Sequence, residues 1–229
     1  WGFLQPFVFM MMYVVVFQFI FGMEGDGGSP YIVWYLPGMA IWQCLNDSIM
    51  SASSAIRNYS YLVKKVVFPI DIIPIISLIG SSFVSIFLII VATVVCSMFG
   101  YVPNILQAIY VVIAVYAFVI AFTRLTSALT TLVPDLSNLL AILMQLFFWA
   151  TPVVWGVSRL ENHQTILKVV QCMPFSYLVT AFRQAFMGGN IITENHGIYT
   201  IVFWIITVIM YVWGNHVFKK NKKDFADVL

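Results

Sequence analysis

The feature that most constrains this chain is the length of its uncharged apolar runs. From Gly2 to Phe21 the sequence carries no Asp, Glu, Lys or Arg. A helix needs about 20 apolar residues to cross roughly 30 Å of hydrocarbon, and several segments here reach that length. The runs are continuous, without the ten-residue alternation that marks a membrane barrel. Composition agrees: 62% of the 229 residues are hydrophobic and 9% are charged, against about 25% charged in soluble domains. A soluble fold of this length has no interior large enough to hide so much apolar surface. The chain therefore reads as an all-α integral membrane protein of about six transmembrane helices, and a soluble enzyme is excluded.

The expected spans are Gly2 to Phe21, Tyr31 to Ile56, Ile72 to Phe99, Ile105 to Leu125, Asn138 to Trp155 and Tyr199 to Phe218. A polar connector, Arg57 to Pro69, separates the second and third spans, and Thr126 to Ser137 forms another between the fourth and fifth. Between Gly156 and Gly197 lie two apolar pieces too short to span, about Gln164 to Met173 and Phe175 to Met187, parted by Pro174. Phe175, Val179, Phe182 and Phe186 share one helical face. Such pieces suit re-entrant or interfacial helices on the outer side. Lys and Arg set the orientation. One side receives Arg57, Lys64, Lys65, Arg124, Lys219, Lys220, Lys222 and Lys223; the other receives Arg159, Lys168 and Arg183. The richer side is expected to be cytoplasmic, with both ends of the chain on it.

The sequence offers few groups for chemistry. Cys44, Cys96 and Cys172 are scattered, as are His163, His196 and His216, so neither a disulfide framework nor a metal site is expected. No G-x-x-x-x-G-K-[ST] loop is present, so the chain does not bind ATP in that way. Asp47 is the clearest acid inside a span, and transport driven by protons or sodium usually needs more. Uphill transport would draw its energy from a separate subunit. The connector suits docking one, because Leu62, Val63, Val66 and Val67 interleave with Lys64 and Lys65. It suits equally an anchor for anionic lipid headgroups.

The wording of that connector carries a resemblance. Y-L-V-K-K-V-V-F-P followed by I-D-I-I-P, Tyr61 to Pro74, resembles the cytoplasmic loop of ABC-2 type permeases that export polysaccharides such as O-antigen and teichoic acid. Four further stretches follow the family's order. W-G-F-L-Q-P from Trp1 resembles its entry to the first span. T-S-A-L and P-D-L, Thr126 to Leu136, sit where the family has similar runs. F-F-W-A-T-P-V-V-W, Phe147 to Trp155, resembles the end of its fifth span. M-P-F-S-Y-L-V-T-A-F-R, Met173 to Arg183, resembles its Asn-Pro segment ending in Arg. Pro134 stands where the family has Arg, and Met173 where it has Asn. The amphipathic N-terminal helix expected before the first span is absent from this sequence.

The resemblance implies one transmembrane domain over residues 1–229, working as a homodimer with two ATP-binding cassette subunits that hold ATP and magnesium. It implies no cofactor in this chain and no nucleic acid. The substrate would be a glycan on a polyprenyl diphosphate, carried across the bacterial cytoplasmic membrane. Residues 57–69 would be the coupling segment, with Arg57, Tyr61, Leu62, Lys64, Lys65, Val66, Phe68 and Pro69 as its contacts. Residues 156–197 would be the external gate, with Phe175, Phe182, Arg183 and Phe186. Trp1, Phe3, Phe7, Phe17, Phe147, Phe148 and Trp149 would line the channel. Aromatic faces stack on sugar C–H faces without selecting one linkage, although aromatics also serve lipid-facing packing and interfacial belts. Arg183 lies off the apolar face and suits a diphosphate as a fork donor, or equally a headgroup. Asp47 reads as a packed polar residue bonded to Asn46 or Ser48. Two other functions stay open at this point: an ABC-2 permease for small hydrophobic drugs or lipids, and a passive channel or scaffold without an ATPase.

Overall fold

The computed structural model describes residues 1–61, 69–160, 162–189, 197–222 and 225. The described residues form helices and turns with no strand; the one pairing of extended backbone is an isolated bridge between Glu24 and Pro30. Among the described residues eight α-helices follow in order: α1 (Leu4–Val14, continued by a π-helical stretch Val15–Ile20), α2 (Tyr31–Asn58), α3 (Ile73–Met98), α4 (Ile105–Leu132), α5 (Leu136–Ala150), α6 (Gln164–Cys172), α7 (Pro174–Met187) and α8 (Gly197–Asn221).

Helix α2 is the centre of the bundle. It packs against α3, α4 and α7, with α1 and α5 on its remaining side. Because protein covers it, α2 does not need a lipid-compatible surface, and it is the helix that carries Gln43, Asn46 and Asp47. Its second half is rich in Ser and Ala, which lets neighbours approach closely and bond across the seam. Ser48 and Ser81 share a hydrogen bond at 3.1 Å, Ser53 and Thr126 another at 2.6 Å, and the Thr130 hydroxyl donates to the Ser53 carbonyl at 2.6 Å. Pro37 has no N–H for the carbonyl of Val33 one turn earlier. The Cys96 thiol of α3 donates to that oxygen at 3.6 Å.

The outer helices face away from this centre with apolar stripes. On α3, Ile76, Ile79, Phe83, Ile86, Ile90 and Val94 are all exposed at helical spacing. Ile201, Ile205, Val208, Ile209 and Val212 do the same on α8. Water would not tolerate such stripes, and lipid does.

Among the described residues, three helical segments are long and apolar enough to span: Ile70–Met98, Ile105–Leu132 and Gly197–Asn221. Helices α6 and α7, bent by 88° at Met173, would add a fourth if counted as one broken span. Length and apolarity alone thus do not reproduce the count of six. The first expected span is a 17-residue piece, Leu4–Ile20. The fifth is 15 residues, roughly 22 Å of axis, because Pro152 stops it earlier than Trp155. The connector expected from Thr126 is also corrected. Helix α4 continues to Leu132, since Ser127, Thr130 and Thr131 are buried and the two threonines bond back to their own helix carbonyls.

The two short outer helices lie within a residue of their expected bounds. Pro174 starts α7, where a missing N–H costs nothing, and Gly188 ends it at φ 77°. Phe175, Val179, Phe182 and Phe186 are all buried, as their shared face requires. That face meets α2 and α4 more than the fifth and sixth spans. The Phe175 ring is 5.2 Å from Phe118 and 6.0 Å from Trp42, besides 4.9 Å from Phe147 of α5.

Candidate functional site

A groove of about 540 Å³ runs between α1, α2 and α5. Helix α2 contributes Trp42, Gln43, Asn46 and Asp47 to it. These fall at i, i+1, i+4 and i+5, one edge of the helix. The Asp47 carboxylate accepts from the Gln43 amide at 3.0 Å on each oxygen and from the Asn46 amide at 3.3 Å. The bond to Asn46 is the one expected; Ser48 turns instead to Ser81. Helix α5 contributes Met144, Gln145 and Phe148, and α1 contributes Gln5, Phe9 and Tyr13. The wall thus combines amides, one carboxylate and aromatic rings with Met39, Met50 and Met144.

Of the seven residues expected to line a channel, Phe148 lies in this wall. Phe3 and Phe7 turn the other way, edge-on to Phe87 of α3 at 5.4 and 6.4 Å. Phe17 packs among Tyr13, Phe21 and Tyr31. Phe147 stacks on Phe175 in the interior. Trp1 and Trp149 are exposed. The stripe Phe3–Phe7–Phe17 is thus the packing face of α1, with Met10 and Val14 buried along it. The opposite edge, Gln5, Phe9 and Tyr13, faces the groove. Both edges of α1 are aromatic, so periodicity alone did not say which one is the wall.

At the end of the bundle that holds α6 and α7, Arg183 is buried. Its Nε donates to the Trp34 carbonyl at 2.8 Å, Nη1 to that of Pro152 at 3.0 Å and Nη2 to that of Val153 at 3.0 Å. The guanidinium lies 3.6 Å from the Trp34 ring centroid. Gly38 makes the space, since a Cβ there would stand 2.4 Å from Nη2. The two carbonyls after α5 are available because Pro152 has ended that helix. Arg183 thus clips α2, α7 and the unwound end of α5 together, beside a cavity of about 510 Å³ lined also by Asp26, Ser158 and Tyr177.

The opposite end holds the basic residues. Asp71 pairs with Arg124 of α4 at 3.4 Å and with Lys222 after α8. Arg57 is exposed and its Nη1 donates to the Pro134 carbonyl at 3.3 Å. Tyr61 is exposed 6.4 Å from Tyr59, and Pro69 precedes a short 3₁₀ turn, Ile70–Ile72. Leu62, Lys64, Lys65, Val66 and Phe68 lie outside the described residues.

The family model described as ABC-2 type transporter matches residues 1–187. The chain belongs to the ABC-2 type transporter family. It is a multi-pass membrane protein of that family, and a transport component rather than an enzyme. Two curated relatives are named O-antigen export system permease protein RfbA. The one from Klebsiella pneumoniae is 23% identical over 236 residues, covering 100% of this chain and 86% of the relative. The one from Myxococcus xanthus is 23% identical over 230 residues, covering 99% and 86%. In this ABC-2 chain the matched 187 residues contain the whole groove and the Arg183 clip.

Proposed function

We propose that this chain is the membrane subunit of an ATP-driven exporter that moves a polyprenyl-diphosphate-linked polysaccharide of O-antigen type across the cytoplasmic membrane. The observation that carries the reading is the polar and aromatic groove between α1, α2 and α5, in a chain whose full-length relatives bear the name of O-antigen export permeases. A passage for small apolar compounds would not need Gln5, Gln43, Asn46, Asp47 and Gln145 along one wall. The chain works as a homodimer. Val8 and Met12 of α1 and Leu139, Ile142 and Leu146 of α5 are exposed beside the groove, a surface suited to a second copy. Two ATP-binding cassette subunits dock on the segment 57–69 and supply the hydrolysis.

Two experiments test this. In a reconstituted complex with its ATPase subunits, reversing the charge of Lys64 and Lys65 together is expected to cut glycan-stimulated ATPase activity and export about tenfold or more while the dimer still assembles. Unchanged stimulation would leave the segment as a lipid anchor. Topology is read by an impermeant maleimide on intact cells, in a background with the exposed Cys172 replaced by Ser. Asn162→Cys is expected to react and Lys220→Cys to be protected, as the asymmetry of Lys and Arg between the two ends requires. External labelling of Lys220→Cys would overturn the orientation.

A further inference from the structure

The groove has a charge character that narrows what can pass. Among its fifteen lining residues are Gln5, Gln43, Asn46 and Gln145, four side chains that both donate and accept, and one carboxylate, Asp47. None of the fifteen is Lys or Arg. The ion pairs among the described residues are Asp71 with Arg124 and with Lys222, at the far basic end. Asp47 has no cation within salt-bridge reach there; the Gln43 and Asn46 amides are its partners. It stands sixteen residues into a 28-residue helix, roughly 24 Å along the axis from Tyr31. The carboxylate therefore stands near the middle of α2, half-buried in the groove wall, where its charge is only partly screened by water.

We propose that Asp47 makes this groove selective for the charge of the glycan repeat, admitting a neutral, hydroxyl-rich chain and disfavouring one with a phosphodiester or uronate on each unit. The inference rests on the glycan-export reading above and names its substrate class. The physical basis is that of charged pores, where acidic side chains exclude anions and basic ones admit them. A neutral repeat gives hydroxyl donors to the carboxylate and finds both donors and acceptors on the amides. An anionic repeat meets a like charge with no Lys or Arg in the wall to offset it, and meets it again at every unit. In the dimer a second Asp47 doubles the effect. The lipid diphosphate occurs once per molecule, so selection falls on the repeat.

The test uses proteoliposomes holding the permease with its ATP-binding subunits. Two polyprenyl-diphosphate glycans of equal length are compared, one of neutral hexoses and one carrying a phosphodiester on each repeat. The wild-type complex is expected to export the neutral chain about tenfold faster or more at low ionic strength. Asp47→Asn keeps the side-chain shape and is expected to bring the two rates within about twofold. Gln145→Lys, on the opposite wall, is expected to narrow the ratio while leaving Asp47 intact. Equal export of both chains by the wild type, or an unchanged ratio in both variants, would overturn the charge selection alone. Export of neither chain by a complex that hydrolyses ATP would overturn the glycan reading and this inference with it.

Discussion

Replacing Arg183 with lysine is expected to lower the amount of folded protein sharply, although the charge is kept. The guanidinium reaches three carbonyls on two different elements and stacks on Trp34 at the same time. An ammonium is a point donor on a flexible stem and does not reproduce that fork. At least one of the Pro152 and Val153 carbonyls would lose its partner in the interior. A buried polar group left unpaired costs about 1–3 kcal/mol, and a charged partner raises the figure. Arg183→Lys is therefore expected to destabilise by about 2–4 kcal/mol, and Arg183→Ala by at least as much, with a cavity added. The measurement is thermal unfolding of purified protein in detergent, beside the level of membrane-inserted chain. A headgroup anchor or an exposed diphosphate contact predicts normal stability with altered transport. Normal unfolding of both variants would therefore remove the clip. Gly38→Ala offers an independent check, because its Cβ would displace the same guanidinium while residue 183 stays arginine.

The clip also shows where the sequence stopped being readable. The outer pair of helices was legible to within a residue, because Pro174 and Gly188 punctuate it and four apolar residues repeat at helical spacing. The depth of Arg183 was not. Its partners lie 149, 31 and 30 residues away, and no local pattern reports a distant carbonyl. A signal did exist in two parts. Gly38 inside a helix leaves a bare patch of backbone, and Thr151-Pro152 ends a helix while leaving carbonyls behind. Together they called for a long donor from elsewhere. The groove was half legible for a related reason. Trp42, Gln43, Asn46 and Asp47 mark a polar edge on α2, yet α1 has two aromatic edges, and which one faced the groove depended on Phe87 of α3. Length and apolarity do not by themselves recover six spans, because α5 stops before Pro152 and α2, 28 residues long, is shielded enough by its neighbours to be polar.

Gly214 is a position where one added side chain is expected to force two helices of the bundle apart. Helix α8 crosses α4 there, and an added Cβ would stand 2.9 Å from the Leu125 backbone nitrogen, 3.1 Å from the Arg124 Cβ and 3.2 Å from the Ala121 carbonyl oxygen. Two of these three atoms are backbone, so no rotamer change relieves the contact, and the helices must part. Membrane helices depend on such close approach, because lipid is as apolar as their side chains and gives no hydrophobic drive to association. Separation would also loosen the basic end. Arg124 lies 5.2 Å over the Phe218 ring and pairs with Asp71, and Asp71 reaches Lys222 just beyond α8. Those partly exposed ion pairs contribute little by themselves, about 0–1 kcal/mol each. The α4–α8 contact must therefore come from packing, not charge. Gly214→Ala is expected to cost about 1–3 kcal/mol, and Gly214→Leu to prevent stable folding. Asp71→Asn is expected to shift stability by no more than about 1 kcal/mol. The three variants are compared by thermal unfolding and by crosslinking of paired cysteines placed on α4 and α8. If Gly214→Leu unfolds like the wild type while Asp71→Asn is strongly destabilised, charge and not close packing holds this end of the bundle.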